Sequence, residues 1–146
     1  SGGSTMFAAI HSKIKVGDLL SGLIIQSGND AAIVLAEGIA GNESAFARLM
    51  NDRARELGLD KSNFTNSNGM HDPEQRVTVR ELAKLTQHII RTYPEHYKIY
   101  AERDFTWNKI RQQNRNPLLA MNIGADDRRC RWSSRRDGPV AGHPAR

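Results

Sequence analysis

A single cysteine, Cys130, stands in the whole chain, so no internal disulfide forms and the redox compartment is left open. Long apolar runs are missing as well. The longest, Ala31 to Ala36, falls far short of the ~20 residues that cross a bilayer as a helix. A charged leader followed by an apolar segment is absent behind Ser1, so a signal peptide is expected to be either removed or never part of this fragment. The histidines (His11, His71, His88, His96 and His143) show no close ligand pairing, and Pro94 separates His88 from His96. No metal site is expected from them. Internal repeats are lacking too.

Net charge is nearly absent over most of the chain, although the whole carries +5. Residues 127–146 carry six arginines against Asp127 and Asp137, which places four of the five charges in the tail. The remaining body is nearly neutral, and a nucleic-acid interface would want a basic face of its own. Nucleic acid is therefore not an expected partner. From Asp127 onward Arg, Gly, Pro, Ser and Ala dominate without helical or strand periodicity. Such a segment buries too little to offset its ordering entropy, and the reading is disorder.

What is present suffices for one domain, because 146 residues with 38% hydrophobic content fit the usual ~100–200 residues per domain. Ser1 to Thr5 reads as a turn or a cut edge, and Met6 to Ile10 as a short strand or helix entry. Val16, Leu19, Leu20, Leu23 and Ile24 fall at i, i+3, i+4, i+7 and i+8, the stripe of an amphipathic helix. That helix stops at Ser27-Gly28. Asn29 or Asp30 is expected to cap a second helix, apolar on every side from Ala31 to Ala36 and hence central and buried.

Gly38 and Gly41 end the second helix, and Asn42 caps a third that carries Phe46, Leu49, Met50, Ala54 and Leu57 on one face, with Gly58 at its C′ position. Residues 60–73 are rich in turn formers. Thr78-Val79-Arg80-Glu81 spells a capping box ahead of the stripe Leu82, Leu85, Ile89 and Ile90, and Pro94 closes that helix near Tyr93. Phe105-Thr106-Trp107 alternates as a strand, and residues 112–116 read as a polar turn. The aromatics Tyr93, Tyr97, Tyr100, Phe105 and Trp107 are expected to pack between the last helix and the sheet. Asp18, Asp30, Glu37 and Glu43 read as solvated faces and helix-start charges.

The abrupt polar break Ser27-Gly28-Asn29 between two apolar helices is where chemistry is expected. A hydroxyl and a carboxamide two residues apart are held there at a helix junction. A bare S-x-N tripeptide carries little information, but its surroundings carry more. I-I-Q-S-G-N-D-A-A, V-G-D-L-L at 16–20, L-A-E-G-I-A-G at 35–41, F-A-R-L-M-N at 46–51, F-T-N-S-N-G at 64–69, T-V-R-E-L-A at 78–83 and F-T-W-N-K-I-R-Q-Q-N-R-N-P-L-L at 105–119 together resemble the serine-type D-alanyl-D-alanine carboxypeptidases, the low-molecular-weight penicillin-binding proteins. The resemblance covers residues 1–126.

That resemblance implies an α+β fold of the penicillin-binding/β-lactamase type, of which this fragment holds mainly the helical subdomain and a short β portion. It implies hydrolysis of the terminal D-Ala of peptidoglycan stem peptides ending in D-Ala-D-Ala, through an acyl-enzyme. Ser27 would relay a proton, and Asn29 would hydrogen-bond the substrate backbone and the lysine of an S-x-x-K motif. No metal or organic cofactor is implied. β-Lactams would acylate the intact parent, in the periplasm or on the outer face of a bacterial cytoplasmic membrane, with membrane attachment left open. A sibling reading is a β-lactamase, but glycine at position 28 and the flanking pattern favour the carboxypeptidase.

Two departures stand out. Ser12-Lys13-Ile14-Lys15 spells S-x-x-K, yet the resemblance aligns it with the polar turn before the V-G-D-L-L helix, downstream of the family's nucleophile. K-T-G is missing after N-I-G-A-D at 122–126, where D-R-R-C-R-W follows. A reading frame shifted near Asp126 accounts for both the lost motif and the tail. The fragment is then expected to be inactive alone and, with an apolar face uncovered, marginally stable. The alternative is a non-enzymatic helical binding module in which Thr78 to Ile90 serves a helix-turn-helix and the tail contacts phosphates. Duplex-DNA affinity that falls steeply with salt would favour the module.

Overall fold

A computed structural model describes residues 3–121 of the chain, and its helices follow the apolar spacing. Helix α1 spans Val16–Ile24, α2 Asn29–Ala40, α3 Glu43–Glu56, α4 Val79–Thr92 and the single turn α5 Pro94–Tyr97. A 3₁₀ turn, Lys98–Ala101, leads into the antiparallel hairpin of β1, Asp104–Trp107, and β2, Ile110–Gln113, and a second 3₁₀ turn covers Pro117–Met121. The hairpin turns on Asn108 and Lys109, both at positive φ, the backbone that a two-residue turn needs to match strand twist. β2 thus takes up Gln112 and Gln113, which shortens the polar turn read at 112–116. The tail at 127–146 lies outside the described residues.

α1 and α2 pack on each other and on the hairpin around Met6, Leu19 and Ala31, with Phe105 and Trp107 from β1 laid against them. Phe105 and Trp107 therefore pack as expected of aromatics between helix and sheet. The tyrosines do not join them: Tyr97 and Tyr100 stack on each other at 5.2 Å, and Tyr93 meets His88 edge-on at 6.1 Å. Helix α2 is buried on one side only. Ala31, Ala32 and Ala36 are inside, whereas Ile39 is 64% exposed and Val34 also faces out. Its second apolar face has no cover among the described residues, and Ile10, Val16 and Val79 are exposed in the same way.

Residues 60–76 have little regular structure and are tied down by side chains instead. The Asn51 carboxamide, on α3, accepts from the Phe64 N–H and donates to the Phe64 carbonyl, both at 2.8 Å. Glu43 accepts from the Ser67 hydroxyl at 2.6 Å, so this residue is a loop clamp rather than a solvated charge. Asn51→Ala leaves both half-buried Phe64 groups to find water and is expected to cost about 2 kcal/mol, read as a lowered urea midpoint at unchanged slope. A midpoint equal to that of the parent chain would refute the clamp.

The capping box forms by half. Thr78 Oγ1 accepts from the Glu81 N–H at 3.2 Å, but the Glu81 carboxylate does not return to Thr78. It accepts from the Lys61 N–H at 2.9 Å and the Ser62 hydroxyl at 2.6 Å, because the loop offers two donors where the box would offer one. The Ser62 bond above all, with the Lys61 N–H and against burial, holds Glu81 below the ordinary value of 4.5. A carboxyl lowered in the folded state stabilises fully above its unfolded value and loses that contribution as pH falls below it. Urea midpoints of Glu81→Gln should therefore lie below wild type at neutral pH and converge on it as the pH is taken under about 4.5. Parallel curves would show that Glu81 contributes nothing through its charge.

Candidate functional site

The candidate site is the connection between α1 and α2. α1 ends with the Ile25 N–H on the Ser21 carbonyl at 2.8 Å, and the Gly28 N–H then reaches back to the Gly22 carbonyl at 3.0 Å. Closing the chain this sharply puts Ser27 at φ 62°, a left-handed backbone that costs a non-glycine residue about 1–2 kcal/mol. Strain of this kind is retained where the surroundings over-determine it, and it gathers at functional positions. Gly28 is the N-cap of α2, and Asn29 and Asp30 open that helix. Neither caps it as expected.

A strap of residues 3–8 lies across the junction. It is neither strand nor helix, contrary to the reading of Met6 to Ile10 as a short element. Its Ser4 carbonyl accepts from the Asn29 N–H at 2.9 Å. The two oxygens of Asp30 accept from the Met6 and Ala8 N–H groups, each at 2.9 Å. Asp30 is thus a clamp and not a solvated charge. Burial alone would raise its pKa, but hydrogen bonds from Ala8, Met6, Thr5 and Ala31 outweigh burial and lower it. The Met6 side chain is fully buried against the bare Cα of Gly22.

Three buried polar atoms near this junction have no hydrogen-bond partner among the described residues: Asn29 Oδ1, Gln26 Oε1 and Trp107 Nε1. Gln26 is almost wholly buried, and its Nε2 approaches the Phe105 carbonyl of β1 at 3.5 Å. Sequence reasoning passed over Gln26. A glutamine inside an otherwise apolar helix end was the available signal. Buried unpaired amide oxygens are costly, and their concentration around Ser27 sets this junction apart from an ordinary helix cap.

Ser27 and Asn29 thus lie on either side of Gly28 in the turn that joins α1 to α2. Ser12 lies apart from that arrangement. It is exposed, and its hydroxyl donates to the Ala9 carbonyl at 2.6 Å, so the local S-x-x-K carries a turn hydrogen bond. Among the described residues no group of three or more His, Cys, Asp or Glu is placed to hold a metal, and no helix is long and apolar enough to cross a membrane.

Residues 1–127 match the family model described as D-alanyl-D-alanine carboxypeptidase. The D-alanyl-D-alanine carboxypeptidase DacA of Haemophilus influenzae is 47% identical over 116 residues, covering 80% of this chain and 30% of that protein. DacC of Escherichia coli is 45% identical over 126 residues, covering 86% and 32%. In three dimensions, penicillin binding protein 5 from Haemophilus influenzae superposes with a TM-score of 0.79 at 47% identity, over 82% of this chain and 35% of that one. The described residues thus have the penicillin-binding protein fold in part, mainly helical with one hairpin. This chain spans about a third of the length of the curated relatives it matches.

Proposed function

This chain belongs to the D-alanyl-D-alanine carboxypeptidase family, and on that premise we propose that Ser27-Gly28-Asn29 is one wall of a carboxypeptidase cleft. The observation that carries the reading is the junction itself, with a strained Ser27 beside a buried Asn29 whose Oδ1 is unpaired among the described residues. A turn that merely joined two helices would use glycine at the left-handed position and leave no amide oxygen unsatisfied.

The reaction is hydrolysis of the terminal D-Ala from a peptidoglycan stem peptide ending in D-Ala-D-Ala. A serine of the full-length protein attacks the carbonyl, D-Ala leaves, and water releases the acyl group. In this scheme the Ser27 hydroxyl passes a proton towards the leaving amine. The Asn29 carboxamide binds the substrate backbone and accepts from the lysine that follows the nucleophile. Residues outside this chain supply the nucleophile and the oxyanion donors. The stretch alone is accordingly expected to be inactive. The full-length protein would work on the outer side of a bacterial cytoplasmic membrane, where its substrate lies, and would be acylated by β-lactams.

Fluorescent penicillin tests this. The full-length protein that carries this stretch should label covalently and release D-Ala, and the 146-residue chain should not label. Labelling of this chain at Ser12 would overturn the division of the site. A full-length protein that neither labels nor releases D-Ala would overturn the function.

A further inference from the structure

Among the described residues the Asn29 carboxamide oxygen accepts no hydrogen bond, so something else orients the group. Its Nδ2 lies against Gly3 of the strap, so close that a Cβ at that position would overlap it. Gly3 also sits at φ 128°, a backbone region open to glycine and strained for other residues. The carboxamide therefore rests on bare main chain, and its direction follows the path of the strap.

That path is not set by local preference. Residues 3–8 have no strand partner among the described residues, and Phe7 takes φ 61° with its side chain turned out to solvent. The Asp30 carboxylate compensates by gripping the N–H groups on either side of Phe7. Charge-assisted bonds of this kind are about twice as strong as neutral ones. The Ser4 carbonyl on the Asn29 N–H completes the attachment one residue from Gly3. We infer that Asp30 is a positioning residue for this site: acting through the strap, it aims the carboxamide of its own neighbour Asn29. The inference rests on reading Asn29 as a site residue and adds the device that orients it.

Three substitutions in the isotope-labelled full-length protein that carries this stretch test the relay by NMR. Asp30→Asn keeps the shape but leaves one oxygen for two donors. Amide exchange at Met6 or Ala8 should quicken about tenfold or more, the worth of one charged hydrogen bond. The side-chain NH₂ signals of Asn29 should move, while amides of α3 and the hairpin keep theirs. Gly3→Ala should move the same Asn29 signals while α3 and the hairpin again stay unchanged. Asp30→Glu, which retains both acceptors, should restore part of the Met6 and Ala8 protection.

Faster exchange with unmoved Asn29 signals would make Asp30 a structural clamp only and overturn the inference. If Asp30→Asn unfolds the chain, Gly3→Ala decides alone, and unmoved Asn29 signals again overturn it. These signals need no turnover. A moved carboxamide in a protein whose full-length form fails with penicillin would defeat the carboxypeptidase reading and leave the relay standing.

Discussion

On the proposed carboxypeptidase reading, Asn29→Ala in the full-length protein is expected to lower D-Ala release by about 10²–10³-fold, the usual loss when one aligned hydrogen-bonding group is removed from a reaction site. Stability should move the other way or hardly at all. Asn29 Oδ1 is buried without a partner among the described residues, so truncation strands no protein group there and removes an unsatisfied acceptor, a change worth within about 1 kcal/mol. Alanine is also at ease in the first turn of α2. Activity and stability thus separate, as they do where a protein keeps a poorly satisfied group for function. Kinetics of D-Ala release set beside urea unfolding of the same variant would show it. A variant that loses several kcal/mol of stability, or keeps more than a third of its activity, would mean that Asn29 serves the fold.

The expectation is specific because of how the junction is built. The Asn29 backbone is held by Ser4 and its helix by Asp30, so the junction does not depend on a hydrogen bond to the Asn29 side-chain oxygen. Ser27 is different. Its φ of 62° makes its backbone part of the turn, and a residue such as valine there would unfold the junction whatever its hydroxyl does. Ser27→Ala, which alters the hydroxyl and spares the Cβ, is the informative change at that position.

Much of this was legible in the chain. The stripe from Val16 to Ile24 matches α1, the Asn42 cap is observed with its side chain on the Ala45 N–H at 2.8 Å, and the polar break at Ser27 falls at the α1–α2 connection, where the site is proposed. What stayed hidden has a common physical cause. Asp30, Glu43, Glu81 and Asn51 all sit on helices, and their partners are backbone and serine hydroxyl groups of irregular segments 13 or more residues away. Helical periodicity says which face a residue occupies. It is silent on loops that have no period. An acidic residue in a first turn fits the helix dipole well enough, so nothing local signalled that Asp30 and Glu81 were committed elsewhere. The all-round apolar character of α2 predicted a buried helix, and only one side is covered here. This chain spans about a third of the relatives' length, and the second face of α2 has no cover among the described residues.

Gly22→Val should destabilise this chain by about 3 kcal/mol, the upper range for overpacking a filled core. Gly22 lies mid-helix, where alanine would gain about 1 kcal/mol from propensity alone, so a glycine there points to crowding. The crowding is Met6. A Cβ on Gly22 would stand 2.6 Å from Met6 Sδ and 3.3 Å from Met6 Cβ. Methionine bends readily, but Met6 is only 2% exposed and is enclosed by Leu19 and Ala31, so it has no free direction to take. The branched side chain must push Met6 outward, and the strap and the Asp30 clamp go with it. Met6→Ala alone should cost about 2–3 kcal/mol through its cavity. The pair together should cost clearly less than the sum, because valine then occupies space that methionine has vacated. Urea unfolding of the four proteins in that cycle measures the coupling. Additive losses within about 0.5 kcal/mol would show that Gly22 and Met6 do not meet, and the strap would then be held by Asp30 without help from the core.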